Sequence, residues 1–390
     1  MSKSRLMVAG GVIVVLAAVG AYLIWGHGNA MEPSKEATAN APVFSLAWSE
    51  YPSWSVFGVA HSLGLIDGRP GHMGPLEKKW GVDIELKEAD YDTCIQLYLS
   101  GQVDAACLTN MDVLNPCLSR DTVAILPTST SYGADALIVP KSITSVQSLK
   151  GKNVYGLKRS VSEYFFYRVI EDLGQNAADY NFTNMDPLAA SQAYQQNNPA
   201  FPAIVVWHPF VLETLNKRTD SHRLFDSKKI PAEIIDMVQM AQSSLDRPGG
   251  KQFACLIIDT YYTVNRILAD PKRHDDTVVA LGEKFSNLDL KSMEQVLTDC
   301  RFFSTPEAGL ALLKGEDVKI YTDAAKTTSI TPAHFKDIMP KVVKFCVSHQ
   351  IVDKEPTVAF GDRSAAGKVN LRLDPAYIQA YLDEENGAGK

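Results

Sequence analysis

The sequence predicts an α/β protein of two lobes, each a mixed sheet flanked by helices, carried behind an N-terminal membrane helix. Three observations lead there. Short apolar runs alternate with helical patterns from Val43 onward, the alternation restarts after Pro140, and an uncharged apolar stretch runs from Leu6 to Trp25. Strands alternating with helices imply parallel-type pairing with crossovers, and 390 residues is the size of two ordinary domains. With 46% hydrophobic and 21% charged residues, the chain can build real cores. Its net charge of -7 and its lack of a long basic run give a nucleic acid no electrostatic footprint.

Lys3 and Arg5 precede the apolar stretch, whose roughly 20 residues suffice to cross a bilayer as a helix. The same positive start opens a secretory signal, and Gly28-Asn29-Ala30 offers a small-x-small cleavage site. Residues 1–30 are therefore read as a signal peptide or a membrane anchor. Both readings export the rest of the chain, in the orientation the positive-inside rule favours. No Cys stands near this segment to take a lipid. Residues 31–42 are rich in Ala, Glu, Pro and Lys without apolar periodicity, which makes them a tether.

The first lobe begins with the strand pattern Val43 to Trp48, followed by a helix near Ser55 to Gly64. Val82-Asp83-Ile84-Glu85-Leu86 alternates as a half-buried strand does. A helical pattern over Thr93 to Ser100 stops at Gly101, a residue suited to a helix C-terminus. Strands over Val103–Leu108, Val123–Leu126 and Ala136–Val139 follow. The second cycle runs through a strand at Asn153–Gly156, a helix at Ser162–Leu173, a strand at Phe182–Asn184, a helix at Leu188–Gln196 and a strand at Ala203–Trp207. From Pro231 the pattern reads as mainly helical, through Ile258–Ala269, His274–Phe285, Leu288–Thr298 and Pro332–His349. The boundaries that result are 43–135 with 232–350 for one lobe, 136–231 for the other, and 351–390 for a C-terminal extension.

Several stretches carry a resemblance. Leu99-Ser100-Gly101-Gln102-Val103-Asp104-Ala105-Ala106 is a helix-Gly-strand step, Ser148-Leu149-Lys150-Gly151-Lys152-Asn153-Val154 an entry to a second lobe, and Val205-Val206-Trp207-His208-Pro209-Phe210 a strand-end turn. In order and spacing, from about Val43 to Ser304, they resemble the periplasmic substrate-binding proteins of ABC transporters for nitrate, taurine, sulfonates and thiamine-precursor pyrimidines. That resemblance implies a two-lobe periplasmic-binding-protein fold (type II-like), a small-molecule ligand, and permease and ATPase partners. A narrower likeness lies in Thr109-Asn110-Met111-Asp112, Ser160-Val161-Ser162-Glu163-Tyr164, Glu233-Ile234-Ile235-Asp236 and Phe302 to Ala308. These are similar to the urea carboxylase-associated branch, which implies a urea- or guanidine-like ligand. The insert Asp67 to Met73 departs from that branch.

Ligands of open α/β sheets gather at the carboxyl ends of strands, and the candidate contacts follow from the strand ends. Trp48, Tyr51 and Trp54 follow the first strand and serve either as core aromatics or as ring faces for a planar cation. Asn110 and Asp112, with Thr109, follow the strand ending at Leu108, and Tyr132 and Asp135 sit at the lobe crossing beside Gly133. A carboxylate facing a cleft predicts a donor-rich ligand; otherwise Asp112 caps a helix at Met111–Leu118 and Asp135 braces the hinge. Ser160 and Ser162 either cap a helix or seat an anion at its start, while Glu163 opposes an anion there. Trp207 and His208 end the second-lobe strand.

The residues give enzyme chemistry little to work with. No P-loop, H-E-x-x-H or G-x-S-x-G pattern occurs. Cys94, Cys107, Cys117, Cys255, Cys300 and Cys346 form no C-x-x-C pair or metal-type cluster, and six cysteines allow fifteen pairings that the sequence leaves open. The expectation is a binding protein without cofactor or metal, at the periplasmic or extracytoplasmic face. The alternatives are a pyrimidine-precursor synthase, which the resemblance gives the same architecture with pyridoxal phosphate and a cysteine cluster, and an anchored ligand-sensing lobe.

Overall fold

A computed structural model describes residues 41–284, 288–317, 319–322 and 327–387, and its strands gather into two principal sheets. The chain lays down β1 (Val43–Trp48), β2 (Asp83–Glu88), β3 (Ala105–Thr109) and β4 (Thr122–Ser131) in the larger sheet. It crosses over to build the smaller one from β5 (Ala136–Pro140), β6 (Asn153–Gly156), β7 (Asn181–Asn184), β8 (Ile204–Val206) and β9 (Ser221–Asp226). It then returns with β10 (Ile235–Ala241) and β11 (Cys300–Phe302). A separate ribbon pairs β12 (Ile320–Tyr321) with β13 (Ser329–Ile330), and β14 (Val358–Phe360) and β15 (Leu371–Leu373) complete the larger sheet.

Both sheets are mixed. In the larger one the order is β14-β15-β4-β10-β3-β1-β2, with β10 antiparallel to both β3 and β4 and β11 antiparallel to the end of β4. The smaller sheet has the order β7-β6-β8-β5-β9, with β5 antiparallel to β8 and β9. The mainly helical reading of the chain from Pro231 overlooked β10. All seven of its residues are buried, so the run Ile235-Asp236-Met237-Val238-Gln239-Met240-Ala241 has no polar face to alternate with. Such a run cannot be told from a buried helix by its period. Residues 351–390 contribute β14 and β15 to the edge beyond β4.

Local signals set the helix starts. Asp90 accepts the Thr93 N–H at 2.9 Å to begin the helix Tyr91–Leu99, and Gly101 leaves it at φ +76°. Ser160 begins Val161–Asp172, and Asp186 with Pro187 begins Pro187–Gln195. Three helical patterns expected after Pro231 appear as Gly250–Ala269, His274–Glu283 and Leu290–Asp299. The first runs 20 residues and is buried along most of its length, with Phe253 stacked on Phe44 of β1 at 4.8 Å. No α-helix forms over Met111–Leu118, where only a short 3-10 turn, Pro116–Leu118, is present.

The insert Asp67–Met73 lies along β2, with the Leu86 N–H donating to the Gly68 carbonyl at 3.0 Å and the Gly71 N–H to Asp83 at 2.6 Å. All six cysteines are buried and unpaired. The apolar stretch 6–25 and the tether up to residue 40 lie outside the described residues. Among the described residues no helix is long and apolar enough to cross a membrane.

Candidate functional site

The strand ends of the two sheets meet around one small cavity. Tyr51, Trp54, Tyr91, Thr109, Ile234 and Asp236 reach it from the larger sheet's side, Val161 and Trp207 from the smaller sheet's side, and Asp135 from the crossing. The free space between these atoms is about that of one water molecule. Four aromatic rings run through the wall in sequence: Tyr51 to Trp54 at 5.0 Å, Trp54 stacked on Tyr91 at 5.3 Å, and Tyr91 edge-on to Trp207 at 5.4 Å. The last of these contacts joins the two halves of the molecule. Buried rings normally place their polar ends in hydrogen bonds. Here the indole N–H of Trp54 has no partner, while the Tyr51 hydroxyl makes only loose contacts with Asp236 and Cys300, and the Trp207 indole N–H with Glu50.

Three carboxylates surround these rings. Asp135 accepts from Ser131 Oγ at 2.6 Å, and Asp236 accepts from Ser129 Oγ at 2.5 Å. Asp112 stands one layer behind the wall, where it accepts from Tyr91 Oη at 2.6 Å and Thr109 Oγ1 at 2.7 Å. Burial raises all three carboxyls: Asp112 to about 6, Asp135 to about 7, and Asp236 well above the ordinary range. Asp112 adds to the rise at Asp135, and Asp135 to that at Asp236, because like charges share the site. Beside Trp207, burial raises Glu50 to about 7, with Asp186 and Asp90 adding to the effect.

The crossing is held by a second network. Gly133, between β4 and β5, takes φ +113°, which a side chain rarely tolerates. Its N–H donates to Ser227 Oγ at 2.7 Å, and that oxygen lies 2.7 Å from Ser131 Oγ. Asp299, at the end of Leu290–Asp299, receives Arg223 at 3.0 Å and lies 3.1 Å from His208 Nε2. Burial would raise the Asp299 carboxyl, but hydrogen bonds and charge from His208 and Arg223 hold it at about 2. Burial lowers His208. The Asp299 hydrogen bond opposes that lowering, and the other ring nitrogen, Nδ1, has no partner.

Of the residues singled out in the sequence, Tyr51, Trp54, Thr109, Asp135 and Trp207 line the cavity, and Asp112 backs it. The others stand elsewhere. Trp48 packs over Gly58, where an added Cβ would come within 2.7 Å of its ring. Asn110 bonds the backbone at Glu233 and Ile235, fastening β3 to the start of β10. Tyr132 lies under Lys228 and Arg301. Ser160 caps its helix and donates to the Leu157 carbonyl at 2.8 Å. Ser162 is buried behind it, and Glu163 accepts the Arg159 N–H at 2.6 Å. His208 belongs to the Asp299 network.

Tyr91, Ile234 and Asp236 line the wall but were not singled out. Tyr91 was missed because it opens a helix rather than ending a strand. Asp236 sits in the strand read as helix; a lone Asp within an apolar run was the available signal.

No family profile matches the chain, and no curated protein matches its sequence. Solved structures do match its fold. The periplasmic aliphatic sulphonate binding protein SsuA from Escherichia coli superposes with a TM-score of 0.59 at 15% identity, over 81% of this chain and 90% of that one. The alkanesulfonate-binding protein SsuA from Xanthomonas axonopodis pv. citri, bound to MOPS, gives 0.60 at 13% identity, over 81% and 96%. The periplasmic nitrate-binding protein NrtA from Synechocystis PCC 6803 gives 0.54 at 10%, over 80% and 83%. The chain therefore has the two-lobe α/β fold of periplasmic binding proteins.

Proposed function

We propose that this protein is the extracytoplasmic solute-binding component of an ABC importer. It captures a small polar nitrogen- or sulfur-containing solute by closing its lobes on it, then presents the closed form to permease and ATPase subunits. The carrying observation is the small cavity at the meeting of the two sheets' strand ends, walled by both lobes, by buried carboxyls and by the Trp54 ring whose indole N–H has no protein partner. Ligand contacts to both lobes favour closure, because only an interaction made differently in the two states can shift their populations. Within this reading, a urea- or guanidine-like solute is supported by where the narrower sequence likeness falls. Thr109, Val161 and Asp236, one from each of three of its stretches, converge on the wall. The insert Asp67–Met73, the point of departure, runs along β2 instead.

Binding without catalysis is the better fit to the wall, which among the described residues carries no Cys, His or Lys to act as nucleophile or to hold pyridoxal phosphate. Residues 6–25 export the chain and, if uncleaved, tether it to the membrane; N-terminal sequencing of the mature protein distinguishes the two outcomes. Function is tested by thermal denaturation with guanidine, urea, taurine, alkylsulfonates, nitrate and an aminopyrimidine. A ligand that binds only the folded state raises the melting temperature. A rise with one compound is expected, and no rise with any would remove the support for solute capture.

A further inference from the structure

The helix Val161–Asp172 begins at the cavity wall. A helix start is a natural seat for an anion, because its first N–H groups have no partner within the helix and the positive end of its dipole lies there. In this protein the seat is already taken. Asp112, from the opposite lobe, stands close to the Val161 backbone N–H, and its hydrogen bonds come from the hydroxyls of Tyr91 and Thr109. Ser160 Oγ accepts the Ser162 N–H at 3.2 Å, and Glu163 places a second carboxylate in the same turn.

The remaining charge has the same sign. Asp135 and Asp236 face the space directly, and Glu50 stands beside Trp207, with Asp90 and Asp186 near enough to repel it. Among the described residues no Lys, Arg or His is on the wall. The nearest cations of the crossing are engaged elsewhere, Arg223 on Asp299 and the Gly133 carbonyl, and Lys228 over the Tyr132 ring. An anion entering this space would find no cation on the wall, only carboxyl groups and the negative faces of four rings. A cation would meet carboxylates and ring faces together.

Building on the solute-binding reading, we infer that the cavity selects a small organic cation and rejects anions, with Asp112 acting as a built-in anion at the helix start. The fold is shared with proteins whose ligands are sulfonates and nitrate, but here a side chain fills the place such a ligand's charge would need. The tight space between the walls, about that of one water molecule, limits the cation to a few heavy atoms for which the walls must part slightly.

The test is titration of the full-length chain in mild detergent, followed by indole fluorescence and calorimetry at matched ionic strength. The probes are guanidinium and methylammonium chlorides, urea as a neutral counterpart, and sodium ethanesulfonate and nitrate. Saturable binding of at least one cation is expected, with no response to either anion. Asp135→Asn should weaken cation binding by at least about tenfold, the scale of one charge-assisted hydrogen bond. Asp112→Asn removes the internal anion and should make ethanesulfonate or nitrate binding measurable. Should circular dichroism show either variant unfolded, Trp54→Phe supplies a substitute, expected to weaken cation binding only. Equal or tighter binding of ethanesulfonate, nitrate or urea by the unsubstituted protein would overturn the cation assignment while leaving solute capture intact. Absence of binding by all the probes would overturn both.

Discussion

At the residue scale, the buried carboxylates tie the empty cavity to pH. Burial places the Asp135 carboxyl at about 7, with Asp112 adding repulsion and Ser131 opposing. An unfolded Asp ionises near about 3.9. Between these values the folded state holds a proton that the unfolded state has released, so stability falls as pH rises through this window. Asp112, at about 6, and Asp236 act in the same direction. The ligand-free protein should therefore melt at a lower temperature near about pH 8 than near about pH 5, and Asp135→Asn should flatten part of that slope. Scanning calorimetry across that range checks this, and a slope unchanged in the variant would remove Asp135 from the account. A bound cation would relieve the same repulsion.

At the scale of elements, Asp299 couples strands and helices that are far apart in sequence. It receives Arg223 of β9 and lies 3.1 Å from His208, which follows β8, while its backbone carbonyl accepts the Tyr132 N–H just after β4. Its carboxylate is 1% exposed, so removing it leaves buried partners unpaired. Breaking a buried pair from one side costs about 3 kcal/mol or more. Asp299→Ala should lower the unfolding free energy by about that amount in urea denaturation. A change below about 1 kcal/mol would show that solvent already reaches the pair. Because the folded carboxyl stands at about 2, its stabilisation is present above the unfolded value and is lost as pH falls toward 2. Gly133 belongs to the same junction: an added Cβ would lie 3.0 Å from Asp299 Oδ1, at a φ of +113°.

At the scale of the whole molecule, contacts across the cavity come from more than the ligand wall. The helix Phe335–Ser348 and the residues after it reach both lobes. Phe345 meets the Tyr164 ring at 5.2 Å, His349 Nε2 lies 2.9 Å from Glu171, and Asp353 pairs with Arg159 at 2.6 Å. On the other lobe, Asn115 donates to the Ile351 carbonyl at 2.9 Å and accepts the Asp353 N–H at 3.0 Å. Opening would have to break one set of these contacts, most of which are exposed and individually weak. Hinge closure predicts that a saturating ligand reduces the radius of gyration measured by small-angle X-ray scattering. Superimposable curves with and without a bound ligand would argue that this strap holds the lobes closed by itself.

The sequence determined the fold class and much of the order of elements. Period and caps placed the helices Tyr91–Leu99, Val161–Asp172 and Pro187–Gln195, because exposed helices leave an amphipathic trace and their ends need polar partners. Strand ends pointed to Tyr51, Trp54, Asp135 and Trp207, since side chains there open toward a cleft in any open α/β sheet. Only the tertiary structure decided that β10 is a central strand, because burial on both faces erases its period. Only it brought Asp112 to the start of a helix in the opposite lobe, and Asp236 across from Asp135. Those meetings depend on how two sheets pack, and no local pattern records which carboxylate will lose its water.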